Sequence, residues 1–263
     1  MCADLPRRFE RYVAIGDSST AGIDDRDGRG GYFGWSRRLA QRIAREQGGL
    51  LYANFGVHGR RTREIRDEQL GPAADMKPDL ATLFSGTNDV IAPRFDADAF
   101  AHDVQHMQRT LVAVGATVLT FTLPDLTPLM PLARLIAPRI RAMNEALRAV
   151  SARTGTLFVD FARHPVATDA RLWSADRIHA NSAGHVRIAE ALAHALGLPG
   201  SDSSWQQPLA GKAWPTRRAR LAAELAWAGG HLLPWVLQGV RPRSVRARPA
   251  SVHPSLSPVD PAS

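Results

Sequence analysis

Five short apolar runs punctuate the chain: Tyr12–Ile15, Leu50–Asn54, Asp79–Ser85, Ala116–Leu123 and Thr156–Asp160. Each is too short for a helix and rich in Val, Ile, Leu, Thr or Phe, so each predicts a strand. The runs are almost continuously apolar rather than alternating, which predicts strands covered on both faces, as in a parallel sheet. Longer stretches with helical patterning lie between them: Tyr32–Glu46, Ala97–Val114 and Leu132–Thr154. A last helix, Ala183–Leu196, follows Asn181-Ser182, either of which could cap it. Strand and helix in alternation predict an α/β domain of three layers, α/β/α. In such sheets ligands sit beyond the carboxyl ends of the strands.

The pattern changes past Leu198-Pro199, so residues 1–199 are expected to form the domain. Residues 200–216 are rich in Ser, Gln, Pro and Trp and read as a linker. Residues 217–240 hold enough Leu, Trp and Val for an accessory helix, interrupted by Gly229-Gly230 and Pro234. Residues 241–263, with Pro, Ser and Arg, read as a disordered tail.

Composition narrows the picture. Of 263 residues 44% are hydrophobic, ordinary for a packed domain. No apolar run approaches the ~20 residues that cross a bilayer. No apolar stretch precedes Tyr12, so no secretory leader is expected. The single cysteine, Cys2, cannot form an internal disulfide, and a cytoplasmic location follows as the expectation. The net charge is +8, but residues 200–263 alone contribute +5. The basic tail could meet nucleic acid or an anionic membrane surface. It lacks aromatic interleaving beyond Trp205, Trp214, Trp227 and Trp235, so a helix packed back on the domain is the preferred reading and no nucleic-acid partner is expected.

Four segments carry candidate chemistry: Gly16-Asp17-Ser18, Asn54-Phe55-Gly56, Gly86-Thr87-Asn88-Asp89 and Asp176-Arg177-Ile178-His179. Alone, each could be an ordinary turn. Three directly follow a predicted strand, and the fourth follows the loop after the fifth strand. Ser18 would be a nucleophile once a base takes its proton. His179 is the candidate base, and Asp176, three residues earlier, could orient it. The N–H groups of Ser18 and Gly56 and the amide of Asn88 are candidate oxyanion donors. Asp17 and Asp89 are expected to brace turns rather than react. The Gly-x-Ser-x-Gly elbow of another serine-hydrolase fold is missing, because Ser19-Thr20 follows Ser18.

Together the segments resemble the conserved blocks of the SGNH/GDSL hydrolase family. The first block matches in Ile15–Gly22, the second in Asn54–Gly59, the third in Ser85–Asp89 and the fifth in Asp176–His179, followed by Asn181, Gly184 and His185. The resemblance covers roughly residues 11–197. It implies a flavodoxin-like sheet of five parallel strands in the order 2-1-3-4-5. It implies Ser18, Gly56, Asn88 and His179 as the family residues, with Asp176 completing the triad. It further implies hydrolysis of a small-molecule carboxylic ester through an acyl-enzyme, with neither metal nor organic cofactor. An acyltransferase with the same residues, or a non-catalytic binding domain on the same fold, are the alternatives.

Other polar residues have plainer readings. His102 and His106 stand four apart on a helix but without the intervening glutamate of a zinc-protease helix, so a solvated face is expected. His58 reads as a surface loop residue that could line the pocket. Arg60, Arg61, Arg63 and Arg66 could attract an anion, though a solvated helix face is the preferred reading. Leu126, Leu129 and Met130, in a proline-studded loop, form either an acyl-binding wall or a connector.

Overall fold

The computed structural model describes residues 8–28, 30–211, 227 and 252–260. The five expected strands form, slightly trimmed: β1 Arg11–Gly16, β2 Leu51–Asn54, β3 Leu80–Phe84, β4 Thr117–Phe121 and β5 Leu157–Val159. They are parallel and lie in the order β2-β1-β3-β4-β5. Every residue of β3 is buried, as a strand covered on both faces requires.

Seven helices flank the sheet among the described residues: α1 Ser18–Ala21, α2 Gly34–Gln47, α3 Thr62–Asp75, α4 Thr87–Ile91, α5 Ala97–Ala113, α6 Ala137–Thr154 and α7 Ser182–Ala195. One layer pairs α2 with α7; the other runs α3, α5, α6. The residue that caps α7 is Asn181, whose side chain accepts the N–H of Gly184. The helix expected at Leu132 starts later. Pro131–Leu135 is a separate 3-10 turn, and α6 begins at Ala137 with Pro138 in its first turn, where a proline is tolerated. Helix α3 enters the sequence-based expectation only as the solvated helix face of Arg60, Arg61, Arg63 and Arg66, because Gly71-Pro72 interrupts its helical signal; burial of Ile65, Leu70 and Ala73 holds it on the sheet. No described helix is long and apolar enough to cross a membrane.

The sheet departs from the expectation at one edge. A sixth strand, β6 His253–Pro258, pairs antiparallel with β2, so the sheet is neither five-stranded nor wholly parallel. The expected disordered tail is therefore a strand at this point. Two prolines and little apolar burial hide it in the sequence; proline is tolerated at a sheet edge, where half the N–H groups face solvent. The supposed linker also packs. Ser203–Gln206 form a 3-10 turn and Trp205 is buried. The accessory helix expected over 217–240 lies outside the described residues apart from Trp227.

An aromatic ladder crosses the core towards that turn. Phe84 stacks on Phe121 at 4.3 Å, Phe121 meets Phe161 edge-on at 5.4 Å, and Phe161 meets Trp205 edge-on at 5.4 Å.

Candidate active site

The nucleophile candidate stands where β1 turns into α1. The backbone N–H and C=O of Gly16 are both engaged by the side-chain amide of Gln69 on α3, at 2.8 and 2.9 Å. A Cβ on Gly16 would sit 2.5 Å from the carbonyl oxygen of Phe84, so only glycine lets the strand turn here. Asp17, fully buried, caps α1 by accepting the N–H of Ser19 at 3.0 Å. Its second carboxylate oxygen has no hydrogen-bond partner among the described residues, and burial pushes the carboxyl up to about 7 against the pull of the Ser19 N–H. Ser18 is the first residue of α1 and only 6% exposed.

The loop before α7 delivers the candidate base. Asp176 Oδ1 accepts the backbone N–H of Ile178 at 3.0 Å and of His179 at 3.1 Å. This leaves Asp176 Oδ2 facing His179 Nδ1 at 2.6 Å, and His179 Nε2 lies 2.8 Å from Ser18 Oγ. The turn is tight enough to force Arg177 to φ +61. Burial alone would raise Asp176, but the His179 hydrogen bond and charge outweigh it and hold the carboxyl below its ordinary value. Burial alone would lower His179; Asp176, then Asp17 and Asp24, outweigh it and raise the imidazole. Asp24 contributes through proximity, its carboxylate lying within 4.8 Å of the facing atoms of Asp176 and His179.

Of the oxyanion donors expected, two stay eligible and one does not. The N–H of Ser18 has no acceptor among the described residues. One N–H of Asn88 is held by the carbonyl of Arg60 at 3.0 Å, which fixes the amide and leaves its second N–H. Gly56 is corrected. Its N–H is engaged by Asn54 Oδ1 at 2.7 Å, and its Cα is packed so that a Cβ would lie 2.4 Å from the backbone nitrogen of Ala21. This glycine serves chain packing. Three residues on, Gly59 is exposed at φ +78. It sits between His58, whose ring is 5.9 Å from that of His179, and Arg60, whose carbonyl holds Asn88. No acceptor among the described residues takes the Gly59 N–H. The sequence signal was present, since both glycines lie in the second block, but residue type alone could not choose between them.

A family model described as GDSL-like Lipase/Acylhydrolase matches residues 14–187, which span every one of these groups. The chain belongs to this family. As a GDSL-like acylhydrolase it is a serine ester hydrolase. GDSL lipase Rv0518 of Mycobacterium tuberculosis is 28% identical over 204 residues, covering 74% of this chain and 84% of the relative. The crystal structure of TesA matches with a TM-score of 0.60 at 23% identity, over 71% of this chain and 98% of that one. Axe2, an acetylxylan esterase from Geobacillus stearothermophilus, matches with a TM-score of 0.59 at 20% identity, over 74% and 97%. These structural likenesses are likenesses of fold.

The remaining candidates fall away from the GDSL triad in informative ways. Arg60 pairs with Glu64 and Glu68, Arg63 with Asp67, and Arg66 with Asp67 and Asp103, so these three are neutralised along α3 rather than presented to an anion. His102 and His106 are exposed on α5. Leu126, Leu129 and Met130 are buried in the core and are not the wall of the cavity at the triad. His185 is buried; its Nδ1 accepts the backbone N–H of Trp35 at 3.1 Å and burial lowers its pKa, as a neutral structural imidazole requires. Asp89 Oδ2 accepts from both the N–H and the hydroxyl of Thr62, joining α4 to α3.

Two tryptophans beyond the family match reach the site unforeseen. Trp227 donates its indole N–H to the Asp176 carbonyl at 3.0 Å, and the Arg177 guanidinium lies 5.1 Å from the centre of its ring. Trp205 lines an apolar cavity whose walls also include Ser18 and His179.

Proposed function

We propose that Ser18 is the nucleophile, His179 the general base and acid, and Asp176 the residue that orients it. The observation that supports this is the relay itself: 2.6 Å from Asp176 to His179 and 2.8 Å from His179 to Ser18. Both distances lie within hydrogen-bond reach before any substrate binds. Ser18 Oγ attacks the ester carbonyl as its proton passes to His179 Nε2. Asp176 stabilises the imidazolium formed. The tetrahedral oxyanion is held by the N–H groups of Ser18 and Gly59 and by the second N–H of Asn88. The C–O bond to the alcohol breaks, and the alcohol leaves with the proton from His179. Water then attacks the acyl-Ser18 ester, giving its proton to His179. The carboxylic acid departs as Ser18 recovers a proton. Each oxyanion donor is worth about 10²–10³ in rate.

A fluorophosphonate probe with mass-spectrometric mapping tests the assignment. The wild-type protein is expected to be labelled on Ser18 and to hydrolyse p-nitrophenyl acetate. Ser18→Ala is expected to lose both, with turnover down at least about 10³-fold. Label on another residue, or wild-type turnover in Ser18→Ala, would overturn it.

A further inference from the structure

Behind the triad lies an apolar cavity of about 80 Å³ with Ser18 and His179 in its wall. The ladder Phe84, Phe121 and Phe161 lines it, and Trp205, packed on Phe161, continues that wall. Trp205 comes from the segment beyond the family match, and both its indole and its backbone are held. Its indole N–H donates to His194 Nδ1 at 3.2 Å. Arg187 on α7 donates to the carbonyls of Ser204, Trp205 and Gln207, at 3.1, 2.6 and 3.1 Å. His164 meets the indole edge-on at 4.7 Å. With its backbone held by Arg187 and its indole by His194, Trp205 gives the cavity a rigid wall.

From these contacts we infer that the cavity is the acyl pocket and that Trp205 sets the length of acyl chain accepted. The inference rests on Ser18 being the nucleophile, because that places the acyl carbon at the cavity mouth. Volume then sets the limit. A cavity of about 150 Å³ holds the six carbons of benzene, or about 25 Å³ per carbon. The space here therefore takes about three carbons beyond the carbonyl, so the substrate class is esters of short acids, acetyl to butyryl. Longer chains meet the Trp205 indole. Each methylene that enters a dry apolar pocket improves kcat/KM about fourfold.

The experiment is a kcat/KM series on p-nitrophenyl acetate, butyrate, hexanoate and octanoate. Wild type is expected to favour butyrate over acetate about fifteenfold and to fall at least tenfold from butyrate to octanoate. Trp205→Ala is expected to move the optimum to hexanoate or octanoate. Ala167→Phe, which fills the cavity from its wall, is expected to move it to acetate, and it keeps the inference testable if Trp205→Ala does not fold. A wild-type optimum at octanoate would overturn the inference. So would a profile that keeps its shape in the folded variants. If the wild-type protein neither takes the fluorophosphonate on Ser18 nor turns over any ester, the nucleophile assignment fails instead. Normal Ser18 labelling with an unshifted profile rejects only the pocket.

Discussion

His179 shows how a single residue is tuned by what faces it. The form its proposed role requires is the neutral imidazole, yet Asp176, Asp17 and Asp24 together favour the charged one despite burial. The folded pKa is thus above the ordinary ~6.5, and the acid limb of kcat/KM is expected to have its midpoint above that value. Asp17→Asn keeps a capping side chain on α1 but deletes a carboxyl that bears negative charge above about pH 7, so its limb should shift to lower pH. A kcat/KM profile between about pH 5 and 9 checks both, and a wild-type limb centred below ~6.5 would contradict the first. The sign for stability follows from linkage. A raised His179 stabilises the fold fully below its unfolded pKa, and that contribution disappears as pH rises through the folded value.

At the scale of elements, the site is a set of strand ends tied to one another by buried amides. Asn54, at the end of β2, is the central tie. Its side chain donates to the Thr20 carbonyl at 2.8 Å and to Ser36 Oγ at 3.1 Å, and accepts from the N–H of Gly56. It thereby joins β2, α1, α2 and the loop that carries His58 and Gly59. Asn54→Ala leaves the buried Gly56 N–H without its partner, whereas the Thr20 carbonyl keeps the Ser36 hydroxyl and Ser36 Oγ keeps Tyr52, at a cost of about 1–3 kcal/mol for the one unsatisfied group. Urea unfolding should show a loss of this size; a loss under about 0.5 kcal/mol would mean the loop reorganises without strain.

For the molecule as a whole, described residues beyond 199 pack on the body that carries Ser18 and His179. Trp205 lines the cavity, Trp227 braces the carbonyl of Asp176, and β6 covers the open edge of β2. Truncation after Pro199 removes all three. Loss of a buried Trp alone costs about 3–5 kcal/mol. The truncated chain is expected to melt well below the full-length protein and to lose ester turnover together with it. Equal melting temperatures by calorimetry would show that this segment packs without contributing to the fold.

Local pattern determined much of this protein. Buried strands must be apolar on both faces, so β1 to β5 were legible as short runs, and their parallel arrangement followed from the helices between them. Ser18, Asn88, Asp176 and His179 were legible as candidates, because the proposed nucleophile and amide donor follow strands and the proposed acid–base pair stands three residues apart in the loop before α7. Only the tertiary structure could choose between Gly56 and Gly59. Both are glycines in one loop, and the difference is which N–H already has a partner in Asn54. Nor could any local signal place β6, Trp205 or Trp227. Their positions are decided by partners far away in the chain: the edge of β2, Arg187 and His194 on α7, and the backbone of the catalytic loop. Contacts between distant stretches leave no periodicity behind, because neither partner needs a pattern of its own to make them.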